Sequence, residues 1–146
     1  GNNVANSLIL CGGILGLKVR IASPAGFEPN KTIVSRARQI NNNDILNISN
    51  DPSEAITGAN VIYTDVWSSM GEENLKEDKD KNFQGFAVDH KLLDLADNKA
   101  IVLHCLPAYR GKEITDEIID SENSRIFDQA ENRLHAQQAL LSCLLS

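Results

Sequence analysis

The chain is 146 residues long with 42% hydrophobic content, enough to bury the core of one compact domain. A net charge of −6, a pI near 5.0 and 14 scattered Lys and Arg residues exclude nucleic acid as a partner, because phosphate binding needs a concentrated basic face. No apolar run of membrane-spanning length and no charged-then-apolar leader occurs, so a soluble, cytoplasmic protein without a membrane partner is expected.

In chain order, apolar residues at helical spacing predict a first helix over 3–15, opened by Gly1-Asn2-Asn3. A strand is predicted at 17–22, a polar surface helix at 31–42 and a second strand at 45–49. Asp51-Pro52-Ser53-Glu54 then carries a helix-start signature, with Pro in the first turn and acids beside the positive dipole end. Strands at 60–64, 100–104 and 125–127 alternate with helices at 88–96, 112–120 and 132–145. This alternation predicts an α/β fold, a three-layer, Rossmann-like, doubly wound parallel sheet. Because the first helix has no strand before it, the chain is expected to be cut just after a central strand, leaving two strand edges unpaired. The last helix is apolar around much of its circumference, which predicts burial against another surface.

One segment breaks the alternation. Ser68-Ser69-Met70-Gly71 precedes 72–81, where eight of ten residues are charged. The charged run reads as a solvated face, whereas the Ser-Met-Gly stretch reads as the tip of a lid closing over a small substrate.

Three cysteines at long spacings, Cys11, Cys105 and Cys143, fit reduced thiols better than a disulfide framework. No Cys or His pair has zinc-ligand spacing, so no metal is expected. A dinucleotide is not expected either. Gly12, Gly13 and Gly16 fall inside the first helix, where small residues allow close helix-to-sheet approach, and the second strand position ends in Ser23-Pro24 without a ribose-binding acid. Attention falls instead on His104-Cys105-Leu106-Pro107, which places a thiol and an imidazole at the end of a strand. Each has a plain alternative, the thiol as core packing and the imidazole as a histidine satisfied by backbone hydrogen bonds. In a parallel sheet, however, Asn3, Asp65, Ser69, Met70 and Cys105 share the carboxyl-end rim, where ligands bind. A helix N-terminus, a carboxylate, a hydroxyl, an apolar cap and a thiol suit a short zwitterionic amino acid with an aliphatic chain.

The segments Gly1-Asn2-Asn3-Val4-Ala5-Asn6-Ser7, Thr64-Asp65-Val66-Trp67-Ser68-Ser69-Met70-Gly71, His104-Cys105-Leu106-Pro107 and Ala130-Glu131-Asn132-Arg133 closely resemble the amino-acid-binding half of ornithine carbamoyltransferases. The resemblance spans essentially all 146 residues, with the motifs in family order. It implies that Asn3, Asp65, Ser69, Met70 and Cys105 bind L-ornithine, Asp65 holding the α-amino group, and that Cys105, Leu106 and Arg133 meet carbamoyl phosphate. It implies no cofactor, a homotrimer, and an active site completed by a second half whose Ser-Thr-Arg-Thr-Arg and His-Pro-x-Gln motifs are absent here. The 146 residues alone are therefore expected to be inert. The chemistry also needs a proton acceptor, because an alkyl amine of pKa about 10.4 is short of its neutral form by roughly 4 to 5 kcal/mol at pH 7. Cys105, with a free-thiol pKa of about 8.5 that a neighbouring ammonium would lower, is the candidate, as a base and not as a covalent nucleophile. Two alternatives stand beside this reading, a putrescine carbamoyltransferase and a non-catalytic amino-acid-binding or regulatory module.

Overall fold

The computed structural model describes residues 1–40, 45–68 and 76–146. The first helix, α1 (Asn3–Leu15), starts on an Asn2 cap whose side chain accepts the Ala5 N–H at 2.9 Å, and it stops at Gly16 in the left-handed region at φ 69°. Gly12 and Gly13 are buried within it. A Cβ on Gly12 would stand 2.3 Å from the Val19 side chain, and one on Gly13 would stand 3.4 Å from the Ala37 carbonyl. The helix therefore lies close upon β1 (Val19–Ala22) and α2 (Lys31–Ile40), the packing role predicted for these glycines.

Strand β1 pairs in parallel with β2 (Leu46–Ser49), and β3 (Val61–Thr64) pairs in parallel with β4 (Ile101–His104). The class is α/β with parallel strands, as predicted, and among the described residues the strands form two two-stranded sheets where one continuous sheet was expected. Each sheet has its own core. Ile9, Val34, Ala37 and Leu46 fill one, and a larger cluster built on Ile62, Val102, Ile114, Ile118 and Ile126 fills the other. Between β2 and β3, α3 (Pro52–Ile56) contacts both β1 and β2. Its predicted start is sound, since the Asp51 side chain accepts the Ser53 N–H at 2.8 Å and Pro52 occupies the first turn. Asp51→Ala removes that acceptor and is expected to lower stability by about 1 kcal/mol in urea unfolding.

The predicted strand at 125–127 does not form. Its place is taken by an isolated parallel bridge, Val102↔Ser124, with the Val102 N–H donating to Asn123 and the Arg125 N–H donating to Val102, both at 2.9 Å. Ile126 already opens α7 (Ile126–Leu145), six residues earlier than the predicted helix at 132–145. The two bulky apolar residues look alike in sequence, yet Ile126 is fully buried and Phe127 is exposed, the one-sided burial of a helix resting on a sheet edge. Beyond that anchor the helix leaves Leu134, Leu140, Leu141, Leu144 and Leu145 exposed, where burial was predicted. The predicted helices at 88–96 and 112–120 shrink to α5 (His90–Leu93) and α6 (Asp116–Ile119), because Val88 pairs as an isolated parallel bridge with Ile114.

Helix α4 (Lys76–Asn82) belongs to the charged run, of which Asp80 takes the Lys112 ammonium at 2.5 Å. The Ser69-Met70-Gly71 stretch read as a lid tip lies outside the described residues. Just before it, Trp67 stacks on Phe83 at 5.8 Å, and Phe27 meets the same ring edge-on at 5.2 Å, so the loops after β1 and β3 are tied through one aromatic cluster. Among the described residues no helix is long and apolar enough to cross a membrane.

Candidate functional site

The parallel register of β3 and β4 ends on the pair Thr64↔His104. The next residue of each strand is Asp65 and Cys105, so the register itself sets a carboxylate beside a thiol at the carboxyl end of the sheet. The Cys105 thiol donates to Asp65 Oδ1 at 3.0 Å, and the same oxygen accepts the Val66 N–H at 2.8 Å. Asp65 Oδ2 takes the Asn2 amide at 2.5 Å. Asn2 is thus shared, its oxygen capping α1 and its nitrogen holding Asp65, which pins the start of the first helix to the end of β3. Asn3, the neighbour named from the sequence, is the first helical residue and is exposed.

Burial raises the Cys105 thiol, its hydrogen bond and charge contact with Asp65 raise it further, and it is pushed up to about 11 despite a partly offsetting contact from the Tyr63 hydroxyl. The thiol therefore stays protonated near neutral pH and acts as a donor to Asp65, a firmer hold on the proton than the free-thiol value used in the sequence reading. Tyr63 is raised as well, by burial first and then by the proximity of Cys105.

His104 is fully buried, and its two ring nitrogens are both engaged. Nδ1 accepts the Leu106 N–H at 2.8 Å, so the proton sits on Nε2, which donates to Glu113 Oε1 at 3.2 Å. Glu113 is equally buried, and the same oxygen also accepts the Tyr109 N–H at 2.5 Å, while Oε2 is buried without a hydrogen-bond partner among the described residues. The imidazole is therefore structural. It holds Leu106 at φ 56°, a left-handed conformation that costs a leucine about 1–2 kcal/mol, ahead of the cis Leu106–Pro107 bond.

Asp65, His104 and Cys105 offer metal-ligating atoms within 4.8 Å of one another. They do not suit a metal as they stand, since the Nδ1 lone pair is occupied by Leu106, Nε2 carries a proton toward Glu113, and the thiol is protonated. Of the residues named from the sequence, the structure brings Asp65, Cys105 and Leu106 together. It leaves Arg133 exposed on α7, and Ser69 and Met70 lie outside the described residues. Asn2, Tyr63, Glu113 and Gln129 were missed. Only Asn2 carried a local signal, as an Asn before an apolar-periodic helix.

Residues 1–144 match the family model for the aspartate/ornithine carbamoyltransferase Asp/Orn binding domain. The chain belongs to this family. It is 65% identical to the ornithine carbamoyltransferase of Prochlorococcus marinus subsp. pastoris over 99% of its length, which is 47% of that relative. Superposition on the ornithine carbamoyltransferase of Pyrococcus furiosus gives a TM-score of 0.91 at 46% identity, covering 97% of this chain and 46% of that one. An acetylornithine transcarbamylase bound to acetylcitrulline superposes with a TM-score of 0.82 at 31% identity, covering 96% of this chain and 43% of that one. The chain spans about half the length of the curated relatives it matches. Its Rossmann-like carbamoyltransferase fold accounts for a site on the strand ends.

Proposed function

We propose that this chain is the ornithine-binding part of an enzyme that transfers the carbamoyl group of carbamoyl phosphate to the side-chain amine of L-ornithine, giving citrulline and phosphate. The observation that carries the reading is the Asp65–Cys105 pair, an anionic acceptor and a thiol set side by side where an amino acid would enter. In the transfer a C–N bond forms as the carbamoyl C–O bond to phosphate breaks. Of the two protons the ammonium loses, one leaves with the phosphate and the other reaches solvent. An arriving ammonium competes with the Cys105 S–H for Asp65 and favours the thiolate by its charge, which is how Cys105 would accept a proton despite holding its own firmly beside Asp65 alone. Asn3, Ser69 and Met70 complete the ornithine contacts in this reading, and Leu106 and Arg133 face carbamoyl phosphate. The rest of the phosphate site lies on protein outside these 146 residues, in a cytoplasmic homotrimer.

The test is a citrulline assay on the full-length protein and on the 146 residues alone, with putrescine and N-acetylornithine as competing acceptors. Ornithine turnover by the longer protein, and none by the 146 residues, is expected. Preference for putrescine or N-acetylornithine would move the substrate assignment, and turnover by the isolated chain would refute the divided active site.

A further inference from the structure

Two adjacent asparagines open the first helix, and the one that reaches the Asp65–Cys105 pair is Asn2. It stands ahead of α1 in extended backbone, with its side-chain oxygen accepting the Ala5 N–H at 2.9 Å. A backbone N–H can only donate, so this bond fixes which end of the amide is oxygen. The nitrogen is then the donor to Asp65 Oδ2 at 2.5 Å, across 63 positions of sequence. Capping needs an acceptor alone, which serine or aspartate supplies as well as asparagine. The second arm of the amide is therefore surplus to the cap, and it goes to a half-buried carboxylate.

The other oxygen of that carboxylate is held from the sheet side, by the Val66 N–H at 2.8 Å and the Cys105 thiol at 3.0 Å. A carboxylate turns about one bond, so donors on both oxygens fix its plane. An amide, a backbone N–H and a thiol are all uncharged, and they aim Asp65 without neutralising it. We propose that Asn2 is a positioning residue, which by gripping Oδ2 keeps Oδ1 turned to Cys105 and so sets the substrate ammonium beside the thiol. The step to the ammonium rests on the amino-acid-site reading above. The aim of the carboxylate does not.

Two substitutions keep the cap and remove the donor. In Asn2→Ser the one hydroxyl, held on the Ala5 N–H, does not reach Asp65, and in Asn2→Asp a second carboxylate faces it. In the full-length protein Asn2→Ser is expected to lower kcat/KM for ornithine about tenfold, the loss of one hydrogen bond to a charged group. Asn2→Asp should lower it about 100-fold, because like charges at hydrogen-bond distance repel. The KM for carbamoyl phosphate should stay within about twofold of native in both. A residue that only capped the helix would show none of these losses, since both replacements cap it.

The second readout needs no ornithine. Iodoacetamide alkylation of the full-length protein at pH 8.5, followed by peptide mass spectrometry, gives the rate at Cys105 relative to Cys11 of the same sample. An S–H that loses its carboxylate acceptor ionises more readily, so Asn2→Ser should speed Cys105 about threefold. In an Asp65→Ala background the same change should have no further effect, whereas a site merely loosened would speed Cys105 with Asp65 or without it. An unchanged Cys105 rate in Asn2→Ser overturns the proposal. So does a rise that persists without Asp65, or ornithine turnover that neither variant lowers. If the rate answers to Asn2 through Asp65 in a protein that does not use ornithine, only the substrate reading is retired. Ornithine turnover with a Cys105 rate indifferent to Asn2 retires only this proposal.

Discussion

Asp65→Asn is expected to lower kcat/KM for ornithine in the full-length protein by about 10²- to 10³-fold, the range set by stripping one partner from a desolvated charge pair. The asparagine keeps the shape of the side chain, and with its oxygen on the Asn2 amide it turns a donor toward the Cys105 thiol and the Val66 N–H, so the loss reports the charge and the Oδ1 acceptor together. Two effects combine, the missing partner for the substrate ammonium and the missing acceptor for the Cys105 proton. The second has its own signature. In the native chain the folded thiol titrates at about 11 against an ordinary value of 9.0. Between those values the unfolded thiol has already lost its proton while the folded one keeps it, so the unfolded state binds fewer protons and stability falls as pH rises through the window. Removing the Asp65 charge narrows the window from above without closing it, because burial, the larger cause, remains. Urea midpoints measured from pH 8 upward should therefore decline less steeply in the variant. A variant with native turnover would show that Asp65 holds neither the amine nor the proton.

The strands were legible because each is a short apolar run bounded by turn residues, and their alternation with helices gave the parallel class. The Asp51-Pro52 helix start was legible for the same local reason, since a cap is made by residues next to one another. The missed strand at 125–127 has a physical reason. Ile126 and Phe127 read as a strand because two adjacent apolar residues do not reveal whether both faces or one face is buried. Only the packing of Ile126 on the inner face of α7 decides it. The approach of Cys105 to Asp65 was legible because register follows from strand position, and a motif marked both. Glu113, Tyr63 and Gln129 act through contacts 9 to 66 residues away in sequence, and no periodicity encodes a partner at that distance. Glu113 in particular reads as one more surface acid between Lys112 and Ile114, yet it is among the most buried side chains of the chain.

Glu113 allows acceptor and charge to be separated by two substitutions with opposite expected outcomes. Glu113→Ala leaves the buried His104 Nε2–H without its carboxylate acceptor and takes the same oxygen from the Tyr109 N–H, and is expected to cost about 3–5 kcal/mol in urea unfolding. Glu113→Gln presents the same oxygen to both donors and replaces the buried, unpartnered Oε2 by a neutral amide nitrogen. The carboxylate's charge pays a desolvation cost that His104 offsets only in part, so the glutamine variant should lie within about 1 kcal/mol of the native chain. The consequence for the site follows from the order of contacts. Once the ring is free to turn, the Leu106 N–H loses Nδ1, and a leucine at φ 56° has no remaining bond to hold its amide there. Alanine should therefore also disturb the Cys105–Pro107 turn and its alkylation rate, whereas glutamine should leave that rate near native. A glutamine variant as unstable as the alanine one would mean that the negative charge, and not the acceptor geometry, orients His104.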